Sequence, residues 1–239
     1  MGNEEMKFLR ILSRDREHQQ YLKHVIENNS YLSMSTIFKI ASKASLTDLY
    51  VPLKASTRDV DDITGSEFED DFIDKEISEK RIRVVERETE ERIDSLDSLI
   101  SKESRLVVLG KPRSGKTTFI SHLALHTAQN YRGKPSVTPL PLKISLKELE
   151  RSLADGFPIA KSQPSSQWIL DFISFYLASS NLRDYQDTLL ASLEQGEYLV
   201  LFDGLDEVAD YDQRVLIREA IEQFIDNYPE NHYVVTAYN

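Results

Sequence analysis

The chain has 239 residues, enough for one large domain or for one domain with a smaller partner. Its formal net charge is −11 and its isoelectric point is about 5.0, so the surface as a whole repels nucleic-acid backbones and carries no direct nucleic-acid signature. Cysteine is absent and no apolar run approaches the length of a membrane span, so we expect a cytoplasmic protein with no disulfide, no cysteine-ligated zinc and no membrane partner.

The upstream part of the chain predicts a helical segment, a linker and a second helix. Residues 1–54 form a mainly helical N-terminal segment, because apolar residues recur at helical spacing between charges over 4–29. Residues 55–76 are acidic and rich in serine and threonine, which predicts a solvated linker, the alternative being a docking surface for a basic partner. Residues 77–101 predict one long charged helix that leads into the core and packs on it, since their apolar residues form a single stripe, the alternative being a coiled-coil seam.

Residues 102–239 alternate between short apolar runs and longer amphipathic ones. The apolar runs predict strands, and the amphipathic runs between them predict helices. The predicted strands cover 105–109, 139–146, 198–203 and 232–236. Prolines in the second of these favour an edge position, whereas the third is continuously apolar and therefore buried on both faces. This alternation predicts an α/β fold with a parallel sheet.

A glycine-rich loop follows the first core strand and has the G-x-x-x-x-G-K-[ST] spacing of a phosphate-binding P-loop. Glycines let the backbone approach a triphosphate, and the N-terminus of the following helix attracts its charge. Within this loop, Lys116 would reach the β- and γ-phosphates and Thr117 would bind Mg²⁺. The predicted nucleotide-binding residues are Gly110, Lys111, Pro112, Arg113, Ser114, Gly115, Lys116, Thr117 and Thr118.

The apolar strand at 198–203 ends in an aspartate, which is the pattern of a Walker B motif. Asp203 would hold Mg²⁺, through water, at the carboxyl end of a buried strand beside the P-loop. Asp206 and Glu207 follow, and either carboxylate would position or deprotonate the attacking water. The candidate catalytic residues are therefore Lys116, Asp206 and Glu207, and the candidate metal ligands are Thr117 and Asp203.

Together, the P-loop, the D-G-L-D-E sequence at 203–207 and the Y-V-V-T strand at 233–236 resemble a NACHT domain, the STAND-class nucleotide switch of immune receptors and their bacterial relatives. The resemblance covers roughly 20–239 and implies a P-loop NTPase sheet of order 5-1-4-3-2. It also implies binding of ATP and ADP, slow ATP hydrolysis, and a role in signalling or defence. The implied partner is a second copy of the chain or a longer NACHT protein. Thr236 is the expected polar sensor of the nucleotide.

The chain departs from the NACHT pattern in two places. Members usually have Thr-Ser-Arg after the last strand, with an arginine that senses the γ-phosphate, but Tyr238 stands at that position. No fifth strand follows, so the chain resembles a NACHT protein truncated after the sensor strand. The strand at 105–109 would then be an exposed edge unless the N-terminal segment covers it.

Two other functions compete with the switch. A non-catalytic module would bind nucleotide, or only a partner, and regulate a full-length relative. A small P-loop kinase would need a second substrate site and an arginine-bearing lid, yet the segment from 130 to 196 has only Arg132, Arg151 and Arg183. His122 and His126 are spaced as a metal pair, but the sequence offers no third ligand, which favours packing or surface roles.

Overall fold

The computed structural model describes residues 3–33, 43–50, 56–59, 83–86, 103–131, 138–154 and 164–238. The strands are β1 (Tyr31–Ser33), β2 (Lys43–Ser45), β3 (Ser56–Asp59), β4 (Arg83–Glu86), β5 (Arg105–Leu109), β6 (Leu140–Ser145), β7 (Tyr198–Asp203) and β8 (His232–Ala237). The helices are α1 (Asn3–Asn29), α2 (Leu46–Leu49), α3 (Lys116–Asn130), α4 (Leu146–Ala154), α5 (Ser166–Ser179), α6 (Gln186–Glu194) and α7 (Tyr211–Asn227). Short 3-10 turns cover Arg183–Tyr185 and Leu205–Glu207.

The main sheet has the order β3-β4-β5-β8-β7-β6. Strands β5, β8, β7 and β6 are all parallel, which confirms the predicted α/β fold with a parallel sheet. Their order corresponds to the 1-4-3-2 part of the predicted sheet. Every residue of β7 is buried, as its continuous apolar sequence predicts.

Strand β6 lies at one edge of the sheet, where its internal proline is tolerated. Helix α1 contacts this strand through Tyr21, whose hydroxyl donates to the backbone oxygen of Pro141 at 2.8 Å. The helix predicted over 4–29 is confirmed as α1, and the rest of the 1–54 segment contributes α2 and an antiparallel pair of short strands, β1 and β2.

Strand β4 contradicts part of the prediction. The sequence predicts one helix over 77–101, but Arg83–Glu86 pairs in parallel with β5 and antiparallel with β3. The remainder of that predicted helix lies outside the described residues, as does most of the predicted linker at 55–76, of which Ser56–Asp59 is β3. The two adjacent valines of β4 favour extended backbone, and the edge of β5 supplies hydrogen-bond partners for it.

As a consequence, β4 occupies the place beside β5 that the 5-1-4-3-2 order assigns to a fifth strand. The strand before the P-loop is therefore covered by a segment from upstream in the chain. Within the part of the chain that the structure describes, no helix is both long and apolar enough to cross a membrane.

Candidate functional site

The candidate site lies where β5, β8 and β7 end. Because the three strands are parallel neighbours, their carboxyl ends meet at one edge of the sheet. The loop after β5 and the turn after β7 both begin there, and ligands of open parallel sheets bind at this edge. The fold thus brings together two motifs that are far apart in the sequence.

Backbone hydrogen bonds hold the start of the loop at 110–115. The backbone N–H of Gly110 donates to the oxygen of Ala237 at the end of β8, at 3.2 Å, and the N–H of Ser114 donates to the oxygen of Lys111 at 3.1 Å. Gly110 is closely packed, because a Cβ atom there would lie 2.8 Å from the Oγ of Ser114, whose side chain would have to move. The loop therefore folds tightly back over its own first residue.

The second half of the loop has left-handed backbone. Gly115 has a φ of 94° and is the N-cap of α3, whose first turn closes when the N–H of Phe119 donates to the Gly115 oxygen at 2.9 Å. Arg113 also has a positive φ, of 63°. A non-glycine residue in this conformation costs about 1 kcal/mol. Its side chain is exposed, as are those of Lys111 and Pro112, so these three residues form the outer tip of the loop.

Lys116 is buried and points back into the loop. Its Nζ donates to the backbone oxygen of Gly110 at 2.5 Å and to that of Lys111 at 3.3 Å. The same Nζ forms an ion pair with Oδ2 of Asp206 at 3.1 Å. The cation is thus held by three oxygens of the protein.

The hydroxyls of two threonines converge on Asp203. The Oγ1 of Thr117 donates to Asp203 Oδ1 at 3.1 Å across a separation of 86 residues, and the Oγ1 of Thr236 lies 3.4 Å from the same oxygen. Thr236 is fully buried, and its oxygen accepts from the N–H of Gly204 at 2.7 Å. Thr236 therefore supports the Asp203 turn, and direct contact between Thr236 and a nucleotide stays a prediction.

The two candidate catalytic carboxylates differ in their surroundings. Oδ1 of Asp206 is buried and has no hydrogen-bond partner among the described residues, while Oδ2 pairs with Lys116. The side chain of Glu207 is 46% exposed and pairs with Lys147 at 3.3 Å. Asp206 therefore faces the P-loop, whereas Glu207 faces the first turn of α4.

Lys143 is a site residue that the sequence reasoning misses. Its Nζ lies 3.8 Å from Asp203 Oδ2 and donates to the Oγ of Ser121, one turn beyond Thr117 on α3, at 2.8 Å. The available signal is a single charged side chain inside an otherwise apolar strand, L-P-L-K-I-S. Because β6 is predicted to be an edge strand, a lysine in it is equally consistent with a side chain that faces solvent.

Burial is the main electrostatic influence on this pair. Burial raises the pKa of the Asp203 carboxyl above its ordinary value of 3.8, and the cation of Lys143 and the hydroxyl of Thr117 oppose the rise. Burial also lowers the pKa of Lys143 below its ordinary value of 10.5, against the opposing effect of Asp203. Each ionised group is therefore stabilised mainly by the other.

The arrangement suits Mg²⁺ held jointly with phosphate. Thr117 and Asp203 offer hard oxygen ligands, and Mg²⁺ usually takes one or two such protein ligands and completes its shell with phosphate and water. Among the described residues there is no group of three or more histidine, cysteine, aspartate or glutamate side chains that could hold a metal alone. The donor set fits a metal that enters with a nucleotide.

The two histidines on α3 contact neighbouring side chains. The ring of His122 stacks on Tyr50, with centroids 3.6 Å apart, and lies parallel to the ring of His126 at 6.0 Å. The His126 Nε2 lies 2.9 Å from the side-chain nitrogen of Asn130. These contacts agree with the packing and surface roles that the sequence favours.

Of the predicted site residues, the structure joins five in two sets of contacts: Thr117 and Thr236 with Asp203, and Lys116 with Asp206. Thr118 is half-buried on the first turn of α3. A comparison with protein-family models, with curated proteins and with solved structures finds no match for this chain.

Proposed function

We propose that this chain is a Mg²⁺-dependent nucleotide switch of the NACHT type, a P-loop NTPase that binds ATP and hydrolyses it slowly. The observation that carries the proposal is the hydrogen bond between Thr117 and Asp203, together with the ion pair between Lys116 and Asp206. These contacts bring a P-loop lysine and threonine against two carboxylates from another strand end. P-loop NTPases use the same combination for the metal and the phosphates.

The P-loop would bind the triphosphate through its backbone and Lys116. The N-terminal end of α3 lies at Gly115, where the first N–H groups of the helix lack partners within the helix. Such a helix end carries a partial positive charge and attracts phosphate. The left-handed residues before it turn the loop around this end.

Phosphate binding would exchange the partners of Lys116. Its ammonium would leave Asp206 and the loop oxygens for the β- and γ-phosphates, because a phosphate is a stronger and more flexible acceptor than a backbone carbonyl. Asp206 would then be free to orient the attacking water as general base. Thr117 and Asp203 would hold Mg²⁺, which when bound neutralises developing charge on the phosphates.

Slow turnover is part of the proposal. Tyr238 stands where the resemblance places an arginine that senses the γ-phosphate, and it is 47% exposed. An arginine at such a position contributes several orders of magnitude to the rate of phosphoryl transfer. Among the described residues, Lys116 and Lys143 lie against the candidate carboxylates, Lys147 is paired with Glu207, and Lys111 and Arg113 are exposed at the loop tip.

The alternative function is a non-catalytic module that holds nucleotide or a protein partner. Tyr238, which stands where the resemblance places an arginine, favours this reading, because a site without that cation stabilises the transition state of hydrolysis less. The NACHT resemblance further suggests self-association or association with a longer relative. These partners, the preference for ATP over GTP and a cytoplasmic location all stay predictions.

The deciding experiment compares the wild type with Lys116→Ala in two assays: binding of a fluorescent ATP analogue, and Mg²⁺-dependent phosphate release. We expect the substitution to weaken binding about 10- to 100-fold, since it removes a charge-assisted contact worth about 1.5–3 kcal/mol, and to abolish turnover. Lys23→Ala on α1 is the matched control, because that side chain is 77% exposed, and it should change neither quantity.

The outcomes separate the two functions. Binding with turnover, both lost in Lys116→Ala, supports the switch. Binding without turnover supports the non-catalytic module. Wild-type protein that binds no nucleotide, or binding that Lys116→Ala leaves intact, contradicts the use of this P-loop.

A further inference from the structure

Lys143 has a place in the site that the function proposed above does not use. Strand β6 carries it two residues before the strand end, opposite Leu201 of β7, while Ser145 lies opposite Asp203. From there its side chain reaches Asp203 Oδ2, and its ammonium is also held by Ser121. The ammonium of Lys143 therefore lies between Asp203 and Ser121 of α3.

The two carboxylate oxygens of Asp203 have different partners. Oδ1 faces the hydroxyls of Thr117 and Thr236, which are neutral, and Oδ2 faces the ammonium of Lys143. Asp203 is only 7% exposed, so water cannot stabilise its charge. A buried carboxylate without a counter-ion is strongly unfavourable, and Lys143 supplies that counter-ion.

Each of the two largely buried carboxylates at the site already has a lysine partner. Asp203 pairs with Lys143, and Asp206 pairs with Lys116, so the four side chains sum to zero. A divalent cation that arrived alone would add two positive charges beside two lysines. A nucleotide triphosphate brings the negative charge that makes the same metal position favourable.

We propose that Lys143 is the resident counter-ion of Asp203 and that it restricts Mg²⁺ binding at Thr117 and Asp203 to Mg²⁺ that arrives with a nucleotide triphosphate. This inference rests on the proposed function for the identity of the metal position. Lys143 is a positioning residue, since it acts on the metal through Asp203.

The test measures thermal unfolding of the whole chain without nucleotide, in EDTA and in millimolar Mg²⁺ at equal ionic strength. We expect Mg²⁺ to change the unfolding temperature of the wild type by less than about 1 °C, since the metal binds weakly where each carboxylate already has a cation. Lys143→Met should unfold at a lower temperature in EDTA and recover about 3 °C or more with Mg²⁺ alone, because the metal then replaces the missing cation.

Three further variants separate charge from packing. Lys143→Arg keeps the cation and should behave as the wild type. The double variant Lys143→Met with Asp203→Asn has no buried carboxylate, so it should regain stability in EDTA and lose the response to Mg²⁺. Lys23→Met removes an exposed lysine of the same kind and should leave the Mg²⁺ response unchanged.

A second readout uses the nucleotide. The Mg²⁺ concentration for half-maximal binding of a fluorescent ATP analogue should fall about ten-fold in Lys143→Met, because a repelling charge near the metal is gone. The comparison of thermal unfolding in EDTA and in Mg²⁺ does not depend on this nucleotide titration. A chain that binds no nucleotide would therefore contradict the proposed function, while the EDTA and Mg²⁺ comparison would still decide the role of Lys143.

Several results would overturn the inference. An equal Mg²⁺ response in the wild type and Lys143→Met would show that the lysine does not oppose the metal. A Lys143→Arg chain that gains the Mg²⁺ response would show that charge is not what matters. A double variant that still responds to Mg²⁺ would place the metal away from Asp203.

Discussion

At the scale of single residues, the adjacent carboxylates Asp206 and Glu207 have different surroundings, which the sequence does not predict. Asp206 and Glu207 are neighbours and equal candidates for the water-orienting carboxylate. The 3-10 turn after β7 directs Asp206 toward Lys116 and Glu207 toward Lys147. A side chain that is 46% exposed and paired outside the loop is the poorer base, so Asp206 is the better candidate.

This assignment predicts a difference between two conservative substitutions. Asp206→Asn should lower ATP turnover by about 10²- to 10⁴-fold, the usual contribution of a general base, while Glu207→Gln should lower it by less than about ten-fold. Asp206→Asn should also bind ATP at least as tightly as the wild type, because Lys116 then has no competing carboxylate. Phosphate release and fluorescent-ATP titration measure the two effects.

The two variants control for each other, since each replaces one carboxylate by an amide of the same shape. Equal loss of turnover in both would mean that the carboxylates act as a pair. A larger loss in Glu207→Gln would mean that the turn rearranges when nucleotide binds, and it would contradict the assignment of Asp206.

At the scale of secondary-structure elements, the upstream strand β4 is the main departure from expectation. Charged residues at helical spacing predict a helix over 77–101, yet Arg83–Glu86 is a strand beside β5. The spacing of apolar and charged residues within a segment indicates only which residues share a face. It gives no information on whether another strand nearby has free hydrogen-bonding groups. The open edge of β5 is such a neighbour, and pairing with it satisfies both backbones.

The role of β4 as a covering strand can be tested with proline. Val85 is opposite Thr57 of β3 and Val108 of β5, so its N–H belongs to one of these two ladders. Val85→Pro removes that donor and should lower the free energy of unfolding by about 1–3 kcal/mol. It should also promote self-association, because the edge of β5 becomes available to another chain. Denaturant unfolding and light scattering measure the two effects.

Val85→Thr is the matched control, since threonine is β-branched and keeps the N–H. It should change the unfolding free energy by less than the proline variant and should not aggregate. If Val85→Pro leaves both the unfolding midpoint and the light scattering unchanged, β4 is not needed to cover β5.

At the scale of the whole molecule, helix α1 is attached to the core by polar contacts. Arg14 pairs with Glu197 before β7, and the hydroxyl of Thr188 on α6 donates to Glu17. Between them, His18 is 3% exposed and lies against the rings of Tyr131 and Tyr185. Helix α1 of the predicted N-terminal segment therefore packs directly on the core.

The burial of His18 predicts that acid weakens the fold. Burial lowers the pKa of His18 below its ordinary value of 6.5; Arg14 lowers it further, and Glu197 opposes the shift. The unfolded chain then binds more protons than the folded chain below pH 6.5, so stability falls as the pH falls through this value toward the lowered pKa. The slope is at most about 1.4 kcal/mol per pH unit for one histidine.

Denaturant unfolding between pH 8 and pH 5 measures this dependence. His18→Gln cannot gain the proton, so its stability should change less with pH in this range than that of the wild type. His24 on the same helix has a pKa that burial lowers in the same direction, so part of the dependence should persist. Identical pH profiles for the wild type and His18→Gln would contradict a role for His18.

The sequence by itself determines the parallel α/β core and most of the candidate site. Strands at 105–109, 198–203 and 232–236 follow from continuous apolar runs, and P-loop spacing locates Lys116 and Thr117, because these signals are local in the chain. Only the tertiary structure decides that β4 pairs with the edge of β5, that Asp206 forms an ion pair with Lys116, and that Lys143 reaches Asp203. Each of these contacts joins groups from distant parts of the chain at a sheet edge or a strand end. Residue spacing within one segment cannot predict such contacts.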